Sequence, residues 1–243
     1  MIDTLASELT NASPDEKAAM GLYSPSIVDV TINERIFGIR AADIDDRRNS
    51  ASMLISKMYA WRGYSGTHHV GTDPNRIALT ASDKGEVIGT LSLGLDSSVG
   101  LLADQTFQDH IDPIRQSGKV CEFIKLAVDP SVKSKAVLAS LFHVAFIYAR
   151  DLNQCTDIFI EVNPRHRRFY EAMLKFEVVC ESRNNPRVEA PAVLLRINAE
   201  YGTGLIAKWA GKGDEAVGER SLYPYFFSPR EEIGIINRLK RIG

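Results

Sequence analysis

A single carboxylate interrupts the apolar run VCEFIKLAV, and its type and placement are what first suggest chemistry in this chain. Strand alternation puts Glu122 on one face with Val120, Ile124, Leu126 and Val128, and puts Cys121, Phe123, Lys125 and Ala127 on the other. A carboxylate in such a row is costly to bury unless it is paired, hydrogen-bonded or neutralised. Two readings follow: a base whose pKa is tuned by its surroundings, or half of a structural ion pair with a lysine or arginine on a neighbouring strand.

Other reactive groups carry less. His68 and His69 are adjacent on a Gly- and Thr-rich loop, but no third ligand stands at a recognisable spacing, so a solvated loop and no metal site are expected. Cys121, Cys155 and Cys180 are odd in number, lack CxxC spacing and lie in or beside apolar runs, which fits buried reduced thiols. His143 reads as a core or boundary histidine.

The elements that must position Glu122 are two strand-like runs around one long apolar helix. KVCEFIKLAVDP is followed by a helical run from Ser134 to Asp151, then TDIFIEVNP, then the helix RHRRFYEAML. Each strand ends at an Asp-Pro or Asn-Pro stop, giving one βαβ unit and a further helix. The helix is apolar nearly all round, so it should lie between the sheet and another layer.

Upstream, Thr31–Ala41 alternates as a first strand, and Asp43–Trp61 is helical, with Met53, Leu54, Lys57, Met58 and Trp61 at three- and four-residue spacings. Arg76–Ser82 and Val87–Leu95 form an antiparallel pair joined by a Gly-containing turn. LLADQTFQDHIDPIRQSG is a short helix ended by Pro113 and Gly118. FEVVCES and APAVLLRINAE supply two last strands, and PREEIGIINRLKRIG a terminal helix that either caps the core or pairs with another subunit.

The 243 residues, 44% hydrophobic and 25% charged, suit one elaborated domain. We expect an N-terminal appendage over residues 1–30, a main domain over 31–200 and a C-terminal extension over 201–243 that is Gly-rich until Gly218. A formal charge of −2 argues against an electrostatic grip on nucleic acid or anionic membrane over the whole surface. The N-terminus has early acids and no apolar run, so neither a signal peptide nor a membrane span is expected, and the cytoplasm is the expected location.

The order of elements, with Asn163, Phe169, Tyr170 and Phe176 in EVNPRHRRFYEAMLKF, resembles the GNAT superfamily of acyltransferases. The segment from VIGTLSLGL through the Leu-x-Asp-x-x-Phe of LLADQTF to CEFIKLAV is similar to the acyl-homoserine-lactone synthases, with Glu122 and Lys125 on their Glu and Arg positions. Together these segments resemble the long-chain N-acyl amino acid synthases, over roughly Ile32 to Asn198. The resemblance implies an α/β (α+β) fold of GNAT type, with a central mixed, mostly antiparallel sheet flanked by helices. Ser92 stands where the lactone synthases carry Arg, which argues against their S-adenosylmethionine acceptor.

It also implies an N-acyltransferase that moves a long-chain acyl group from acyl carrier protein to the amino group of an amino acid. Glu122 would take the amine's proton, and Tyr170, at the general-acid position of many GNAT enzymes, would protonate the leaving thiolate or else serve as packing. Lys125 would orient Glu122, neutralise the acceptor's carboxylate or bond the acyl carbonyl. A regular strand puts it on the wrong face, so a shared site requires a bulge near Phe123–Leu126.

The glycine cradle that binds a CoA pyrophosphate is replaced by KSKAVL, and a glycine-free helix start suits the single phosphodiester of a 4'-phosphopantetheine arm better. Lys133, Ser134 and Lys135, with Asn163, would hold that arm, while Arg165, Arg167 and Arg168 would face the carrier protein. No other cofactor is expected. Phe123, Phe142, Phe146, Phe159 and Phe169 border the gap where an acyl chain would lie. A CoA-dependent N-acetyltransferase and a non-catalytic binder of acyl chains or carrier protein are the alternatives.

Overall fold

The computed structural model describes residues 26–32, 35–61, 63, 69–132 and 134–242. Strands β1 (Val28–Ile32) and β2 (Arg35–Ala41) form an antiparallel hairpin, so the expected first strand is two. The chain thus enters the sheet inside the stretch assigned to the appendage. The signal is short but present: Val28 and Val30 pack on the core while Asp29 between them is exposed.

Helix α1 (Asp45–Trp61) buries Ala51, Leu54, Ile55 and Met58 against Val70 and Ala127. That stripe differs from the one expected, since Met53 and Trp61 are solvent-exposed. Strands β3 (Arg76–Asp83) and β4 (Glu86–Leu95) form the expected hairpin. In α2 (Asp104–Arg115) Pro113 lies inside the last turn rather than ending the helix. Near a helix end a proline removes one intrahelical bond and the chain needs little further continuation.

The βαβ unit is β5 (Val120–Val128), α3 (Lys135–Ile147, continued by a π-helical turn at Tyr148–Leu152) and β6 (Asp157–Val162). A 3-10 turn at Pro164–His166 leads into α4 (Arg167–Leu174). Short strands β7 (Glu177–Val178) and β8 (Arg183–Asn185) precede β9 (Ala190–Asn198), α5 (Ala199–Trp209) and α6 (Pro229–Ile242). The sheet order is β1-β2-β3-β4-β5-β6-β9-β7, with β8 also paired to β9. Among the described residues only β5 and β6 run parallel, so the sheet is mixed and mostly antiparallel as expected.

The C-terminal segment packs onto the core. Ile206, Leu222, Tyr223, Phe226, Phe227, Ile235 and Leu239 are buried in the main apolar cluster, and they form the layer that covers the outer side of α3. His143 of α3 is fully buried beneath them; its Nδ1 accepts the Phe227 N–H at 3.0 Å and its ring stacks on Phe226. A stretch read as Gly-rich tail is the helix α5. A Cβ at Gly202 would stand 2.8 Å from the Phe146 ring, so this glycine is a close-packing device inside a helix. No helix among the described residues is long and apolar enough to cross a membrane.

Candidate active site

Strands β5 and β6 pair only over three residues, Val120–Glu122 against Asp157–Phe159, and then part. On its other edge β5 carries the expected bulge. Thr90 pairs with Ala127 and Ser92 with Ile124, so two steps along β4 meet three along β5. Lys125 occupies the surplus position with φ +54°, a left-handed conformation that costs a side-chain-bearing residue about 1 kcal/mol or more.

A cavity of about 380 Å³ opens where the strands separate. It is lined by Glu122–Leu126 from β5, Ile160–Val162 from β6 and Asn163, His166 and Tyr170 beyond it. Asn185, Arg187, Val188, Ala190, Pro191 and Ala192 close one side and Tyr59 and Leu102 another. The size suits a small-molecule site.

Glu122 is 1% exposed and forms no ion pair with any described residue. Its Oε1 accepts the Leu102 N–H at 2.7 Å and its Oε2 the Ala103 N–H at 3.1 Å, both at the start of α2. Burial pushes the carboxyl up to about 7, against the two backbone N–H groups and the Arg76 and Arg187 charges that favour the anion. A group balanced there can accept a proton near neutral pH.

The Leu-x-Asp-x-x-Phe segment explains how those two N–H groups are fixed. Asp104 Oδ2 accepts the Leu101 N–H at 2.7 Å, and Arg115 joins Asp104 to Asp96 with contacts of 2.6 and 2.7 Å. Phe107 is fully buried beneath the sheet with Phe159 and Leu194. The motif therefore locks the turn that grips Glu122.

Lys125 reaches the cavity wall because of the bulge, and its Nζ donates to the His69 carbonyl at 2.5 Å. Burial lowers its pKa. Tyr170 is buried, packs edge-on against Phe169 and lines the cavity. Asn163 also lines it while its Oδ1 accepts the Arg165 N–H at 3.2 Å.

The residues most clearly missed from sequence are Glu161, Asn185 and Arg187. Glu161 is the second carboxylate of the cavity; its Oε2 accepts from Arg187 Nη2 at 2.5 Å and its Oε1 from Asn185 Nδ2. Burial raises its pKa despite the Arg187 charge. The available signal was strand alternation in TDIFIEVNP, which puts Glu161 with Asp157 and Phe159 on one wet or functional face.

The FeeM family model, described as N-acyl amino acid synthase FeeM, matches residues 50–198, which span β3 through β9 and every residue of the cavity wall. The chain belongs to the FeeM N-acyl amino acid synthase family. It is accordingly an acyltransferase. The fold agrees with this membership. FeeM from uncultured soil microbes, a solved N-acyl amino acid synthase, is similar with a TM-score of 0.62 at 20% identity, over 69% of this chain and 93% of that one. The AHL synthase LasI is similar with a TM-score of 0.50 at 12% identity, over 68% of this chain and 91% of that one. No curated protein sequence matches this chain.

In the acyltransferase, the expected site residues Ser134, Lys135, Arg165, Arg167 and Arg168 do not line this cavity. Ser134 caps α3 by accepting the Ala136 N–H at 3.2 Å, and Lys135 Nζ lies 5.5 Å over the Tyr225 ring. Lys133 and His68 fall outside the described residues. Arg165, Arg167 and Arg168 are exposed on the turn and helix after β6. Of the five phenylalanines only Phe123 lines the cavity; Phe142, Phe146 and Phe159 are buried in the core, and Phe169 packs on Tyr170. Strand and helix periodicity marked them as apolar without distinguishing core from cavity. Among the described residues no cluster of His, Cys, Asp and Glu is arranged to hold a metal ion.

Proposed function

We propose that this acyltransferase moves a long-chain acyl group from acyl carrier protein to the amino group of an amino acid. The observation that carries the reading is Glu122: a buried carboxyl near pKa 7, held by two backbone N–H groups at the wall of a cavity between diverging strands. An amino acid at neutral pH is mostly ammonium, and Glu122 removes the proton that blocks attack, directly or through a water.

The freed amine then forms a C–N bond at the thioester carbon, and the C–S bond breaks. Backbone N–H groups along the bulged stretch of β5 face the developing oxyanion. Tyr170 gives its proton to the departing pantetheine thiolate, the attacking nitrogen sheds its second proton to solvent, and Tyr170 regains one from there. The absence of glycines in KSKAVL supports a donor with one phosphodiester, held by Lys133, Ser134 and Lys135 at the start of α3, with Asn163 beside the arm. Arg165, Arg167 and Arg168 present positive charge for an acidic carrier surface.

The test is a donor and acceptor panel. The purified protein is given long-chain acyl carrier protein, long-chain acyl-CoA or acetyl-CoA with a mixture of amino acids, and amides are sought by mass spectrometry. Long-chain N-acyl amino acid from the carrier-protein donor is expected. Amide from acetyl-CoA alone would replace this reading with a CoA-dependent N-acetyltransferase, and no turnover of any donor would replace it with a binding role.

A further inference from the structure

A buried acid on one wall of the cavity holds a cation from another. The Glu161 side chain is 8% exposed, and both partners it fixes, Asn185 and Arg187, come from the turn between β8 and β9. Asn185 Oδ1 accepts the Arg187 N–H at 2.7 Å, which sets the path of that turn, and Thr106 Oγ1 of α2 reaches Glu161 at 3.4 Å. Burial of Glu161 costs solvation while Arg187, 30% exposed, is partly screened by water, so the pair is a weak stabiliser. What it does supply is position.

Glu161 engages only Arg187 Nη2, leaving the rest of the planar guanidinium without a hydrogen-bond partner among the described residues. That remaining edge belongs to a side chain in the wall that also contains Glu122, and the Arg187 charge is near enough to act on the Glu122 carboxyl. An α-amino acid carries its amine and carboxylate on one carbon, so groups that receive the two must lie close together. Lys125 is the other cation in the wall, but it is bound to the His69 carbonyl. The guanidinium fork matches a carboxylate, and stays charged at any working pH.

Resting on the amino acid acceptor proposed above, we infer that Arg187 binds the acceptor's α-carboxylate on the unpaired edge of its guanidinium, with Glu161 as its positioning residue. The site thereby selects amino acids over amines that lack a carboxylate. The carboxylate end is held while the amino end meets Glu122.

The test compares wild type, Arg187→Gln, Glu161→Gln and the double variant Glu161→Gln/Arg187→Met, with one amino acid and its decarboxylated amine as acceptors. Arg187→Gln is expected to raise KM for the amino acid about 10- to 100-fold, the loss of one charge-assisted contact, while KM for the acyl donor stays unchanged. The preference for the amino acid over the amine should collapse, and Glu161→Gln should lose part of it. The double variant removes both charges together, so no orphaned buried charge remains, and it gives the same readout should Arg187→Gln fail to fold. Wild-type preference retained in a folded Arg187 variant overturns the inference alone. A wild type that acylates amines but no amino acid overturns the acceptor assignment, and this inference with it.

Discussion

Gly94 of β4 lies opposite Glu122 of β5, and a Cβ added at Gly94 would stand 3.0 Å from both Cγ and Oε1 of that side chain. The hydrogen atom in place of a side chain is what allows the carboxyl to lie flat toward Leu102 and Ala103. Gly94→Ala should push the carboxyl off its two N–H partners and lower kcat at least about tenfold, at a stability cost of about 1–3 kcal/mol. Steady-state kinetics with a denaturant titration would check it; unchanged kcat would mean that the carboxyl's placement is not critical.

Glu122→Gln keeps the shape and removes the proposed base, so kcat should fall about 10²- to 10⁴-fold with the fold retained. The pH dependence has a defined sign. Between the ordinary value of 4.5 and the folded value of about 7, the unfolded chain has lost the proton that the folded chain keeps. Wild-type stability should therefore fall by about 3 kcal/mol as pH rises through that window, while kcat/KM rises as the base ionises. The variant should lose the Glu122 share of both slopes and keep the stability slope from the raised Glu161, which thermal melts and rate profiles from pH 4 to 8 would show.

Reversing Arg165, Arg167 and Arg168 to Glu should raise KM for an acyl carrier protein donor about tenfold or more, and leave a short pantetheine thioester unaffected. All three are exposed, and Arg167 forms an ion pair with Glu171 at 3.1 Å. The effect should shrink as salt is added. Equal losses with both donors would place these charges outside a carrier contact.

Leu239 of α6 is 4% exposed within the main apolar cluster. Leu239→Ala should cost about 2–5 kcal/mol in a denaturant titration, the range for a large-to-small change in a packed core. A loss under about 0.5 kcal/mol would make α6 a peripheral attachment.

Glu122 was legible because alternation isolates one carboxylate in an apolar strand, a pattern that local sequence carries by itself. The need for a bulge followed from Lys125 lying on the opposite pleat, and the structure supplies it. Arg187 and Asn185 were not legible: NNPRVEA reads only as a turn, and what matters is which acid that turn meets across the fold. Helix α5 was hidden by Gly202 and Gly204, whose helix propensity is poor. Its start was nevertheless encoded in Asn198, whose side chain accepts the N–H groups of Glu200 and Tyr201. Tertiary contact with Phe146 outweighed the local preference.

The surplus residue in β5 sets two kinds of fitness against each other. Deleting one residue from Ile124 to Leu126 would mend the ladder with β4, relieve the backbone at Lys125 and realign everything that now borders the gap. A screen for heat resistance would thus reward a sturdier sheet that no longer turns over substrate, and selection for turnover would restore the irregularity.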